Sequence, residues 1–79
     1  MTVHVWHDWL GVWYASVTLT GNLIKDARTA REAIHEELTS QAPARAWDTH
    51  KLVVNVRRER VTNHGTVVYR AIRREVLPR

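Results

Sequence analysis

Cysteine is absent from the 79-residue chain, which excludes disulfide cross-links and thiolate metal centres. That absence is compatible with a reducing compartment. Phenylalanine is absent too, so the aromatic content rests on four Trp and two Tyr. With only three Gly and two Pro, each of these residues becomes punctuation. No stretch approaches the ~20 consecutive apolar residues that would span a bilayer. Met1 to Asp8 carries neither a basic n-region nor an apolar h-region, so no secretory signal is expected. The expected setting is cytoplasmic, with no membrane partner.

Catalytic signatures are also missing. There is no Gly-x-Ser-x-Gly elbow, phosphate loop or dinucleotide fingerprint, and nothing in the sequence around Ser16 or Ser40 activates them. Glu36 and Glu37 adjoin on a helical pattern and point about 100° apart, poor geometry for a carboxylate pair. His4, His7 and Asp8 are the densest set of metal-ligand residues, but on a strand positions 4 and 7 face opposite ways. The expectation is no enzyme, no cofactor and no metal.

What is present bounds the fold. An apolar fraction of 44% is too high for a compositionally disordered chain. A chain of this length buries only about 60% of the surface its unfolded form exposes, so residues 1–79 read as one small domain, and a homodimer is one way to complete its core. The net charge of +4 hides an asymmetry. Residues 1–39 carry three bases and five acids (3 − 5 = −2), and residues 40–79 carry nine bases and three acids (9 − 3 = +6). Ten of the twelve bases are Arg, whose planar fork suits phosphate and carboxylate, although GC-rich coding also enriches Arg.

Residues 3–9 mix β-branched and aromatic types. Residues 12–20 alternate, with Trp13, Ala15, Val17 and Leu19 on one face and Val12, Tyr14, Ser16, Thr18 and Thr20 on the other, the period of a half-buried strand. Asp8-Trp9-Leu10-Gly11 supplies a turn, so a hairpin of about 3–8 with 12–20 is expected, with one long bent strand as the alternative. After Gly21-Asn22 the period changes. Ile24, Ala27, Ala30 or Arg31, Ile34 and Leu38 trace a helical stripe, the helix starting near Asn22 or at the Thr29-x-x-Glu32 capping-box pattern. Pro43 closes the helix, and Trp47 sits in the loop that follows. Residues 51–61 and 66–77 are two β runs around Thr62-Asn63-His64-Gly65, a hairpin signal. The fold class is therefore α+β, a β-β-α-β-β order giving an antiparallel sheet of about four strands with one helix packed on one face.

Two candidate contact surfaces emerge. Arg57, Arg58 and Arg60 on one arm of the C-terminal hairpin face Arg70, Arg73 and Arg74 on the other, with Glu59 and Glu75 alone to offset them. Like charges opposed across a ladder are destabilising, and a cluster kept in spite of that repulsion suits an anionic partner. Nucleic acid or an acidic protein surface are the candidates, since two-stranded ribbons can enter the major groove, and a solvated surface is the plain alternative. The second surface is the N-terminal hairpin, where Trp6, Trp9 and Tyr14 crowd together. It would serve a protein interface, a homodimer contact or base stacking, unless these rings are simply core.

Gly11-Val12-Trp13-Tyr14-Ala15-Ser16-Val17 followed by Ala27-Arg28-Thr29-Ala30-Arg31-Glu32-Ala33 resembles the strand-then-helix stretch of HicB-type antitoxins over about a quarter of the chain. The Pro-Gly-Cys-type segment of that family is missing here. The short, Arg-rich, cysteine-free chain is also similar in style to small actinobacterial phage proteins. The phage resemblance implies a regulator or an inhibitor of a host factor that acts by binding, and the antitoxin resemblance an antitoxin-like regulator. The expected function is a non-enzymatic binding module, with nucleic acid at the basic hairpin or, alternatively, a protein partner at the aromatic one.

Overall fold

A computed structural model describes residues 3–41 and 52–76, with the backbone alone for 73–76. The elements are β1 (Val3–His7), β2 (Trp13–Thr18), α1 (Leu23–Ser40), β3 (Leu52–Val61) and β4 (Thr66–Val76). The four strands form one antiparallel sheet in the spatial order β1-β2-β4-β3, and α1 packs across one face. The α+β class and the β-β-α-β-β order are as the sequence predicts. Trp47 lies outside the described residues.

The alternation in β2 sets the two faces. Trp13, Ala15 and Val17 are buried while Tyr14, Ser16 and Thr18 are half-buried. The buried set joins Val67 and Tyr69 of β4, Leu52 and Val54 of β3, and Ala30, Ile34 and Leu38 of α1 in one core. Val5 and Leu19 pack against its rim. Fully burying an aliphatic side chain is worth ~1.5–3 kcal/mol, so a core of this size supports one helix on one sheet face, and among the described residues no helix lies on the other.

The helix begins where Asn22 caps it. Its Oδ1 accepts from the Lys25 amide at 3.0 Å. Thr29 lies inside the helix, its hydroxyl donating to the Lys25 carbonyl at 3.0 Å, so the alternative start at Thr29 is not used. The buried stripe is Asp26, Ala30, Ile34 and Leu38. Ile34 and Leu38 are where the sequence places them, but Ile24 is 74% exposed and the first position of the stripe is a carboxylate, 1% exposed. The reason is the short β2–α1 connection. Its Thr20 donates to Asp26 from both its backbone amide (3.2 Å) and its hydroxyl (2.6 Å), and a negative charge near a helix N-terminus is favourable. Turning Asp26 inward rotates Ile24 into solvent.

The β3–β4 ladder is interrupted twice, between Asn55 and Val56 and between Arg58 and Arg60. Asn55 pairs with Arg73 and Val56 with Ala71, leaving Ile72 as the extra residue on β4. Arg58 pairs with Tyr69 and Arg60 with Val68, leaving Glu59 as the extra residue on β3. The turn between these strands is closed by Thr62, whose amide donates to the Thr66 carbonyl at 2.9 Å. Gly65 supplies a φ of 76° there, a region that L side chains rarely adopt.

The rotated stripe makes a direct prediction. Ile34→Ala should cost about 2–5 kcal/mol in urea unfolding, and Asp26→Ala about 2–4 kcal/mol because two donors of Thr20 lose a charged acceptor. Ile24→Ala should stay within about 0.5 kcal/mol of the parent. A large loss at Ile24 would show that the helix presents a different face.

Candidate functional site

The residues singled out at the two hairpins meet on the helix-free face of the sheet. Register carries the row: Trp6 of β1 pairs with Tyr14 of β2, Tyr14 pairs with Arg70 of β4, and Arg70 pairs with Arg57 of β3. One residue from each strand thus lies side by side, opposite the face that buries Trp13, Ala15 and Tyr69. A second row runs beside it, His4, Ser16, Val68 and Arg60. Thr18 pairs with Thr66 a step further along.

The aromatic end of the row is ordered. Trp6 and Tyr14 stack with ring centroids 5.6 Å apart and planes 14° from parallel, an offset arrangement suited to the ring quadrupoles. Asp8 holds this pair in place. Its Oδ1 accepts from the amides of Leu10 (3.0 Å) and Val12 (2.9 Å), and its Oδ2 accepts from the Tyr14 hydroxyl at 3.3 Å. Asp8 therefore ties the turn to the ring that Trp6 stacks on. The Tyr14 phenol titrates above its ordinary value, first because it is partly desolvated, then because of the charge and hydrogen bond of Asp8 and the charge of Glu59, with Arg70 pulling it down. Tyr69, on the helix side, is also raised, by burial and then by the charge of Asp26, against Arg58.

The basic end is unevenly neutralised. Arg70 Nε lies 3.7 Å from Glu59 Oε2, a half-exposed pair of small energetic weight. The bulge at Glu59 makes this contact possible by inserting the carboxylate between Arg57 and Arg60 while leaving Arg60 opposite Val68. Arg57 and Arg60 are exposed and form no ion pair among the described residues. Val68 lies between Ser16 and Arg60 in the ladder and is 2% exposed despite its position on the helix-free face.

Of the four candidate arginines whose side chains are described, three share the face: Arg57, Arg60 and Arg70. Arg58 pairs with Tyr69 and lies on the helix side. Arg73 and Arg74 pair through their backbones with Asn55 and Val54. The two Arg clusters thus oppose each other directly only at Arg57 and Arg70. Trp9 does not join Trp6. It sits in the β1–β2 turn, 90% exposed, next to exposed Leu10. His4 and His7 diverge as expected, His4 beside Ser16 on the open face and His7 against Trp13 at 4.8 Å on the other. Asp8 and Glu59 have positioning parts that sequence reasoning did not assign. The Asp-x-x-Gly turn spacing signals the first, whereas the bulge behind the second leaves no mark in the sequence.

Grooves on the helix side are open. One is lined by Leu23, Ile24, Ala27, Arg28, Val56 and Ile72, among others, and another by Arg31, His35, Glu36 and Leu52–Asn55. Among the described residues no group of three or more His, Asp or Glu side chains could hold a metal ion, and no helix is long and apolar enough to cross a membrane. No protein-family model, no curated protein and no solved structure matches the chain.

Two predictions follow from the electrostatics of the face. Replacing Arg57 by Thr removes a like charge directly opposite Arg70, and should raise stability by about 0.2–1 kcal/mol, more at low salt than at high salt. A fall in stability would mean that Arg57 has a structural partner. The raised phenols give a pH dependence. The folded state keeps protons that the unfolded chain has lost, so their contribution is complete below about pH 10 and is lost as pH rises through the raised values. Urea unfolding above pH 10 should show declining stability, with a shallower decline in the Tyr14→Phe, Tyr69→Phe double variant.

Proposed function

We propose that this domain is a non-enzymatic binding module that takes nucleic acid on the helix-free face of its sheet. The supporting observation is the four-strand row in which Trp6 and Tyr14 adjoin Arg70 and Arg57. Guanidinium groups suit phosphate oxygens, and aromatic rings beside them, exposed at Trp6 and half-buried at Tyr14, suit the faces of bases. Arg57, Arg60 and Arg70 are the phosphate contacts in this reading, and Trp6 and Tyr14 the base contacts. Arg58 lies on the other side of the sheet and contributes only to the general positive field. The net charge of +4 favours association with a polyanion at low ionic strength.

A protein partner is the second reading, favoured by the exposed Trp9 and Leu10 at the β1–β2 turn. An inhibitor or antitoxin-like regulator would present that turn, as would a second copy of the chain. Salt separates the two readings, because phosphate contacts release counterions whereas an apolar contact does not.

The test is fluorescence anisotropy with labelled oligonucleotides between about 50 and 200 mM salt. Binding should weaken steeply as salt rises. The Arg57→Ser, Arg60→Ser, Arg70→Ser triple variant should lose about 2 from the slope of log K against log salt, from about 0.7 for each phosphate contact on a single strand. A parental slope near zero, or a triple variant that binds like the parent, would falsify the proposal.

A further inference from the structure

We infer that the nucleic acid this face accepts is single-stranded, with an unpaired base stacked on the outer face of Trp6; this rests on the nucleic-acid reading above. A duplex is disfavoured by the sheet's construction. A two-stranded ribbon fits a major groove about 12 Å wide, but Arg57, Arg60 and Arg70 do not sit on a free ribbon. β2 runs alongside β4 from Tyr14 to Thr18, and the Leu19 amide donates to the Gly65 carbonyl at the turn, at 2.9 Å. Four strands span three gaps of ~4.8 Å each, or roughly 14 Å before side chains are added. Further along the hairpin, where β3 and β4 pair beyond the reach of β2, Leu52 and Val54 are buried in the core beneath α1. No part of the described hairpin is therefore slim enough to enter a groove.

The aromatic geometry favours a loose base. β1 is an edge strand, so among the described residues the Trp6 ring has Tyr14 on one side and no strand on the other. Trp6 is 38% exposed. A base laid on its outer face extends the existing Tyr14–Trp6 stack by one ring, in line with the row that leads to Arg70 and Arg57. Paired bases inside a duplex cannot offer that face without unstacking, whereas a single strand can. The backbone of such a strand would cross the sheet toward the arginines, over Ser16 and Val68 and past the Glu59 carboxylate, which keeps Arg70 from being the strongest anion site in the row. Arg57 and Arg60, on the opposite edge strand, are the open cations among the described side chains of the face.

The experiment compares about ten-nucleotide single strands of dT and rU with a duplex of equal length, at low salt, using the full chain and two variants at Trp6. Trp6→Leu keeps apolar bulk on the strand but removes the π face; Trp6→Phe keeps a π face. Melting curves establish that each variant is folded. The single strand should bind at least tenfold tighter than the duplex. Trp6→Leu should weaken single-strand binding about five- to tenfold without changing its salt slope, and Trp6→Phe should restore it to within about threefold of the parent. Equal affinity for duplex and single strand, or a folded Trp6→Leu variant that binds single strands like the parent, overturns this inference and leaves the phosphate-binding reading standing. Absence of binding to either form at low salt overturns both.

Discussion

The pairing of β2 with β4 is the interaction on which the rest of the molecule depends. β1 and β2 form one hairpin and β3 and β4 another, and this central ladder, Tyr14 to Arg70 through Thr18 to Thr66, joins them into one sheet. It places Ala15 beside Tyr69 and Val17 beside Val67, and so assembles from two hairpins the apolar floor on which α1 lies. On the other face the same register sets Tyr14 beside Arg70. A slip of one residue would exchange the faces, burying an arginine under the helix and exposing Tyr69. The core therefore enforces the register, and the register builds the open face as a consequence.

That face carries a tension. Arg57 and Arg70 are directly opposed on neighbouring strands, an arrangement that subtracts from stability. The Glu59 bulge relieves it in part by bringing a carboxylate to Arg70 at 3.7 Å, yet a half-exposed pair contributes little, and Arg57 and Arg60 keep their charge exposed to water. The aromatic end behaves differently. Asp8 fixes Tyr14 through its hydroxyl and fixes the turn through two amides, so the Trp6–Tyr14 stack is supported from beneath. One end of the row is thus pre-organised and the other carries unpaired positive charge among the described residues, the two features on which the proposed nucleic-acid contact rests.

Much of this was legible in the sequence, for physical reasons that can be named. The period-two alternation from Trp13 to Leu19 marks β2 and its buried side, and Asn63 with Gly65 marks the second hairpin turn. The helix was legible in extent but not in phase. A hydrophobic count puts Ile24 inward, and only the Thr20–Asp26 hydrogen bonds reveal that a carboxylate takes that place. The two candidate surfaces were each visible as composition, arginines in one hairpin and Trp and Tyr in the other. Their union was not, because it depends on the strand order β1-β2-β4-β3, a non-local choice with no signal in any one segment. The bulges at Glu59 and Ile72 are equally silent, and the one at Glu59 decides that Arg57 shares the face with Arg60 while Arg58 does not.

The most direct test of the account is to map the contact surface by NMR, following backbone amide and Trp indole resonances of the labelled chain as a short single-stranded oligonucleotide is added. The account predicts that shifts concentrate in the two rows of the open face, at Trp6, Tyr14, Arg70 and Arg57 and at His4, Ser16, Val68 and Arg60, with α1 nearly unmoved. Shifts concentrated instead along α1 and the groove at Leu23, Ile24 and Ile72, or at the Trp9–Leu10 turn, would contradict it and move the binding surface elsewhere.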